Sequence, residues 1–88
     1  MAYNTVTVTS SATRILASPS TTARNMAIVT NTGTGTVYIG FDSSVTTSNG
    51  FPIGENDVWE TNEPRCFQGE VWGVVASGTS DVRYWELL

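Results

Sequence analysis

Residues 5–9 read Thr-Val-Thr-Val-Thr, and this alternation of polar and apolar side chains returns along most of the chain. A strand turns successive side chains to opposite faces, so a period of two fits a sheet with one face buried and does not suit a helix. No window carries apolar residues at i, i+3, i+4 and i+7. The composition agrees: fourteen threonines and nine serines fill the polar positions, and valine is the commonest apolar residue. β-Branched side chains fit a pleated, half-buried surface.

The spacing predicts strands over residues 4–9, 12–17 (centred on Ile15 and Leu16), 24–31, 37–41, 57–61, 70–76 and 81–87, with an apolar patch at 51–54. In the third of these, Met26 and Ile28 fall on one face and Ala27 and Val29 on the other. Residues 18–22 read as a loop, and Glu63-Pro64-Arg65 breaks the strand before it. Gly33 and Gly35, flanked by alternating segments, read as a hairpin turn, and Ser77-Gly78-Thr79-Ser80 reads as a second use of the same device. Short strands at this spacing, about seven or eight of them, define an all-β fold in a single domain over residues 1–88. A small antiparallel β-sandwich or barrel is expected, with jelly-roll and immunoglobulin-like topologies both open.

A chain of 88 residues buries only about 60–65% of its unfolded surface. The usual staples are missing. Cys66 is the only cysteine and there is no histidine, so an intrachain disulfide and a Cys/His zinc site are both excluded. An aromatic core, an oligomer interface, or both must compensate.

The same inventory narrows function. The chain has no lysine, four arginines (Arg14, Arg24, Arg65, Arg83), eight carboxylates and a net charge of −4. That is a poor footprint for nucleic acid, which is held by neutralising phosphates, and for anionic membranes. No apolar run approaches the ~18 residues that span a bilayer, and the N-terminus lacks the basic and apolar regions of a secretory signal, so synthesis and folding in a cytoplasm are expected. Without histidine, Cys66 has no imidazole to generate its thiolate and no Ser-His-Asp arrangement can form. A buried structural thiol is the expectation for Cys66. Asp42, Ser43 and Ser44 with Glu55 could offer oxygens to calcium, but without the spacing of a calcium loop they read as turn caps. No catalytic residue, metal or cofactor is expected, and the chain does not read as an enzyme.

Two features point to binding. Trp59, Trp72 and Trp85, with Tyr3, Tyr38 and Tyr84, could form a stacking platform for sugars, although bulky aromatics in a small β protein more often fill the core or a subunit contact. The final strand puts apolar residues on both faces and ends in two leucines. Tyr84, Trp85, Leu87 and Leu88 are therefore the candidate subunit or partner interface, since an exposed strand of this kind would aggregate.

Several stretches together carry a resemblance: Thr5-Val-Thr-Val-Thr9 leading into Ala12-Thr-Arg-Ile-Leu-Ala17, Asn31-Thr-Gly-Thr-Gly-Thr-Val-Tyr-Ile-Gly-Phe-Asp42 running on to Ile53, and Ser77-Gly-Thr-Ser-Asp-Val-Arg83. The chain resembles small β-sandwich virion proteins of tailed bacteriophages, which decorate the capsid or serve as accessory head or tail parts. Residues 57–68, rich in Trp59, Glu60, Glu63 and Cys66, depart from that pattern. The resemblance implies a virion part with no cofactor and no enzymatic activity; together with the two-faced final strand and the small unstapled core, the expectation is a capsid decoration protein located in the virion, self-associating (as a trimer) and docking on the major capsid protein. The alternative it leaves is a carbohydrate-binding or host-adhesion module, or an adaptor, of the tail or fibre.

Overall fold

A computed structural model describes residues 2–20 and 22–88; Thr21, inside the loop expected over residues 18–22, lies outside it. Eight strands follow one another: β1 (Ala2–Thr9), β2 (Thr13–Leu16), β3 (Met26–Asn31), β4 (Val37–Gly40), β5 (Phe51–Ile53), β6 (Val58–Asn62), β7 (Val71–Val74) and β8 (Thr79–Leu87). They form two four-stranded antiparallel sheets, a front sheet ordered β1-β8-β3-β6 and a back sheet ordered β2-β7-β4-β5. β1 pairs with β8, β2 with β7, β3 with β6 and β4 with β5. That is one long hairpin rolled into two layers, and β3–β8 and β4–β7 pairing closes each sheet. The protein is a small antiparallel β-sandwich, and of the two topologies left open by the sequence this pairing is the jelly roll.

The alternation decides which side chains enter the core. In β3 Ala27, Val29 and Asn31 are buried while Met26, Ile28 and Thr30 point away; in β4 Val37 and Ile39 are buried. Val8, Leu16, Ile53, Val71 and Val82 complete the layer between the sheets. In β2 the register shifts between Arg14 and Leu16, and the irregularity lets adjacent Ile15 and Leu16 both turn inward. Gly73 leaves room for its neighbours within the back sheet: a Cβ there would meet Ile15 Cδ1 at 2.9 Å and Val37 Cγ1 at 3.1 Å. The surface left exposed, 4986 Å², is that of an ordinary compact monomer of 9.5 kDa, for which size scaling gives about 5,000 Å². The chain closes its own core.

The two glycine-bearing segments are not hairpins. Residues 32–36 carry the chain from β3 in the front sheet to β4 in the back sheet, and the segment after β7 carries it from back to front, so β7 and β8 are not partners. Among consecutive strands only β4 and β5 pair. The reason lies in Asn31, which is fully buried. Its Nδ2 donates to the carbonyls of Gly35 (2.6 Å) and Ile53 (3.0 Å), and its Oδ1 accepts from Gly33 N–H (3.0 Å) and the Ser80 hydroxyl (2.8 Å). One amide thus holds the crossing segment, the end of β5 and the start of β8 together. A side chain at Gly33 would strike Ser80 Oγ at 2.1 Å.

Arg24, just ahead of β3, is also fully buried. Its guanidinium donates from Nε to Glu86 Oε2 (2.8 Å), from Nη1 to the carbonyls of Phe67 (2.7 Å) and Gly69 (3.1 Å), and from Nη2 to that of Ala17 (2.9 Å). Gln68 accepts from Arg24 N–H and donates to Arg24 C=O, each at 2.8 Å. Loop segments that lack ladder partners are tied to β8 by one planar cation, which satisfies the carbonyls of Ala17, Phe67 and Gly69.

Candidate functional site

β8 is an interior strand of the front sheet, flanked by β1 and β3, and its edges are not open. Its side chains alternate strictly. Tyr84 turns inward against the core and Glu86 inward to Arg24, whereas Arg83, Trp85 and Leu87 lie on the outer face. Leu88 follows the strand and is exposed. The inner face of β8 is therefore covered by the chain itself, and the apolar surface left over belongs to the outer face alone.

Cross-strand register extends that surface. One row reads Tyr3–Trp85–Ile28–Glu60 across β1, β8, β3 and β6; the next reads Thr5–Arg83–Thr30–Val58; on the other side Leu87 stands opposite Met26, which faces Asn62. Directly opposed side chains lie about 4.5–5.5 Å apart at Cβ, so Tyr3, Trp85, Ile28, Met26, Leu87 and Val58 form one contiguous patch. Tyr3 is 72% exposed, Val58 53% and Leu87 40%. Met26, Ile28, Thr30, Val58 and Trp85 line a shallow groove of about 410 Å³ in it. Trp85 and Leu87 of the sequence-derived interface belong to this patch; Tyr84 and Leu88 do not line the groove. Met26, Ile28, Val58 and Tyr3 were missed, although β3 carries apolar residues on both faces as plainly as β8 does.

Charge on this face is sparse and opposed. Ion pairs among the described residues join Arg14 to Glu70 (3.3 Å) and Arg24 to Glu86 (2.8 Å). Arg83 and Glu60 are exposed and belong to neither.

The remaining candidates separate. Trp59 packs against the core edge beside Phe41, whose ring also tilts over Phe67 at a centroid distance of 4.4 Å. Trp72, on the back sheet, donates Nε1–H to Glu70 (3.0 Å). Trp85 is on the front face. The three tryptophans thus occupy three separate places and form no common platform. Cys66 is half-buried rather than buried, because it lies in the irregular segment before β7 and not between the sheets; its thiol makes one weak contact with Phe67 O at 3.8 Å. Asp42 caps a turn: the Ser44 hydroxyl, and then the Ser44 N–H, hold its carboxyl below the ordinary 3.8 against a weak opposing effect of desolvation. Among the described residues no group of three or more His, Cys, Asp or Glu is placed to hold a metal ion.

Compared with known proteins, the chain matches no family model, no curated protein and no solved structure.

Proposed function

We propose that this chain is a non-enzymatic structural protein of a bacteriophage virion, a decoration protein that assembles on the head shell. The observation that carries the structural part of this reading is the outer face of the front sheet: a contiguous apolar patch of six side chains on a module whose core is already closed. Contiguous exposed apolar surface of this kind marks an interaction site. The virion part rests on the sequence resemblance and, by fold-level analogy, on the recurrence of jelly rolls in viral capsids. Jelly rolls also serve as lectins, but the scattering of Trp59, Trp72 and Trp85 favours assembly over sugar stacking. Absolute quantification by mass spectrometry of purified particles tests the reading. Hundreds of copies per particle are expected; a handful would place the protein in the tail or fibre, and none would remove it from the virion.

A further inference from the structure

We propose that the outer face of the front sheet is a two-fold interface with a second copy of this chain, its rim closed by reciprocal Arg83–Glu60 ion pairs. The inference rests on the reading above only in treating this face as an assembly surface; it names the occupant.

The argument begins with register. Arg83 on β8 and Glu60 on β6 share the outer face but stand on opposite sides of β3, two strands and one row apart. At about 4.8 Å per strand and 3.4 Å per residue, that places their Cα atoms about 12 Å apart with Ile28 and Thr30 between them, and no ion pair joins them within one chain. Neither has another ionic partner among the described residues. A two-fold axis lying in the plane of the face, and crossing β3 between Ile28 and Thr30, exchanges the two positions. Each arginine then meets the glutamate of the other copy, while Trp85, Ile28, Met26 and Val58 pack beneath at the spacing of stacked sheets. A surface that carries both halves of its own complement is what an isologous contact requires.

Charge also selects the occupant. At a net charge of −4 two copies repel one another over most of their surface. Around the groove the charges are one cation and one anion, so this is where like molecules can approach. Asp81, the next carboxylate on this face, lies one row beyond Arg83, outside the apolar patch, and accepts from the Thr7 hydroxyl (2.8 Å). A self-complementary face yields a two-fold dimer rather than the trimer expected from sequence. It would leave the back sheet and the loops at the ends of the sandwich to contact a shell, with two attachment points per dimer.

Sedimentation equilibrium of the full chain over a range from about 1 μM to 1 mM tests this with three variants: Arg83→Glu, Glu60→Arg and Ile28→Arg. The wild type is expected to be a dimer. Arg83→Glu and Glu60→Arg, each placing like charges together twice, should each raise the dimer dissociation constant by about tenfold or more. An equimolar mixture of those two should recover to within about threefold of wild type, because the mixed dimer restores both pairs. Ile28→Arg should be monomeric, and at concentrations where the wild type is dissociated the unfolding midpoint of the charge variants should be unchanged, because both sites are exposed. A wild-type monomer across the range, a dimer indifferent to Ile28→Arg, or single variants whose mixture does not recover would each overturn the proposal. A wild-type monomer whose binding to particles is lost in Ile28→Arg would give the face to the shell, overturning the second copy and leaving the virion reading intact. A dimer absent from particles would do the reverse.

Discussion

Arg24 Nε and Glu86 Oε2 meet at 2.8 Å, with none of the arginine side chain and 13% of the glutamate exposed. The pair links the segment ahead of β3 to the end of β8, and the same guanidinium satisfies carbonyls of Ala17, Phe67 and Gly69. Removing one partner of a buried pair leaves the other charge and its acceptors uncompensated. Arg24→Ala should therefore destabilise by about 3–5 kcal/mol. Arg24→Lys should recover only part of this, since an ammonium cannot fork to acceptors on three sides. Glu86→Gln keeps an acceptor oxygen and should cost less than Arg24→Ala. Urea unfolding followed by tryptophan fluorescence measures all three; equal losses for Arg24→Ala and Glu86→Gln would show that the carboxylate, not the clasp on the loops, dominates.

Asn31 supplies two donors and one doubly used acceptor inside the sandwich. Asn31→Ala strands the carbonyls of Gly35 and Ile53 and should cost about 2–4 kcal/mol. Asn31→Asp should be worse at neutral pH, because a buried carboxylate faces two carbonyl oxygens it cannot donate to. Its folded pKa is then raised above the unfolded value of about 3.9. The deficit should therefore be smallest below about pH 4, where the introduced acid is protonated in both states, and should grow as pH rises to the folded pKa. Stability curves of Asn31→Asp and Asn31→Ala that stay parallel from pH 3 to 7 would contradict the arrangement.

The sandwich itself was legible, since Val6-Thr7-Val8 and Ala27-Ile28-Val29 alternate at the period of a strand and the turn residues fall between them. The crossings were not. Gly33 and Gly78 announce a turn but not whether the next strand lies beside the last or in the other layer; that depends on a buried amide at Asn31 and its partner Ser80, far apart in sequence. Burial of Arg24 was equally hidden, as nothing local distinguishes it from Arg65, which is exposed. The exposed apolar face was half legible. The sequence of β8 is apolar on both faces, but which one the chain covers is decided by packing and by pairing with β1 and β3, and pairing across the sheet out to β6 brings Tyr3, Met26, Ile28 and Val58 to the uncovered side.

Asp42 offers a pH test confined to one turn. Hydrogen bonds from the Ser44 hydroxyl and N–H favour the carboxylate, so its folded pKa lies below 3.8. With a depressed pKa, the turn's contribution is fully present above the unfolded value and lost as pH falls through the folded one. In a carboxyl-carbon NMR titration Asp42 should titrate below 3.8, and Ser44→Ala should move its midpoint upward. No movement in Ser44→Ala would mean that the serine is not the source of the shift.

The last expectation concerns contact with a shell. Of the four arginines, Arg14 is engaged with Glu70 and Arg24 is buried, which leaves Arg65 and Arg83 as exposed cations outside an ion pair among the described residues. Arg83 is committed if the front face pairs with a second copy. If the protein docks on a capsid as proposed, the contact depends on apolar and hydrogen-bonded groups, on Arg65, or on the protein's carboxylates facing basic groups of the shell. The first kind changes little with ionic strength, because salt screens exposed charge pairs beyond a Debye length of about 8–10 Å. Binding to particles lacking the protein should therefore weaken by less than about tenfold, or ~1.4 kcal/mol, between low salt and about 0.5 M NaCl. Co-sedimentation titrations at the two salt concentrations measure it. A steep loss would show Arg65 or the carboxylates to be the binding groups, and substituting Arg65, Glu55, Asp57 and Glu63 in turn would identify which; no binding at either salt, with retention on an oligosaccharide array, would replace decoration with adhesion.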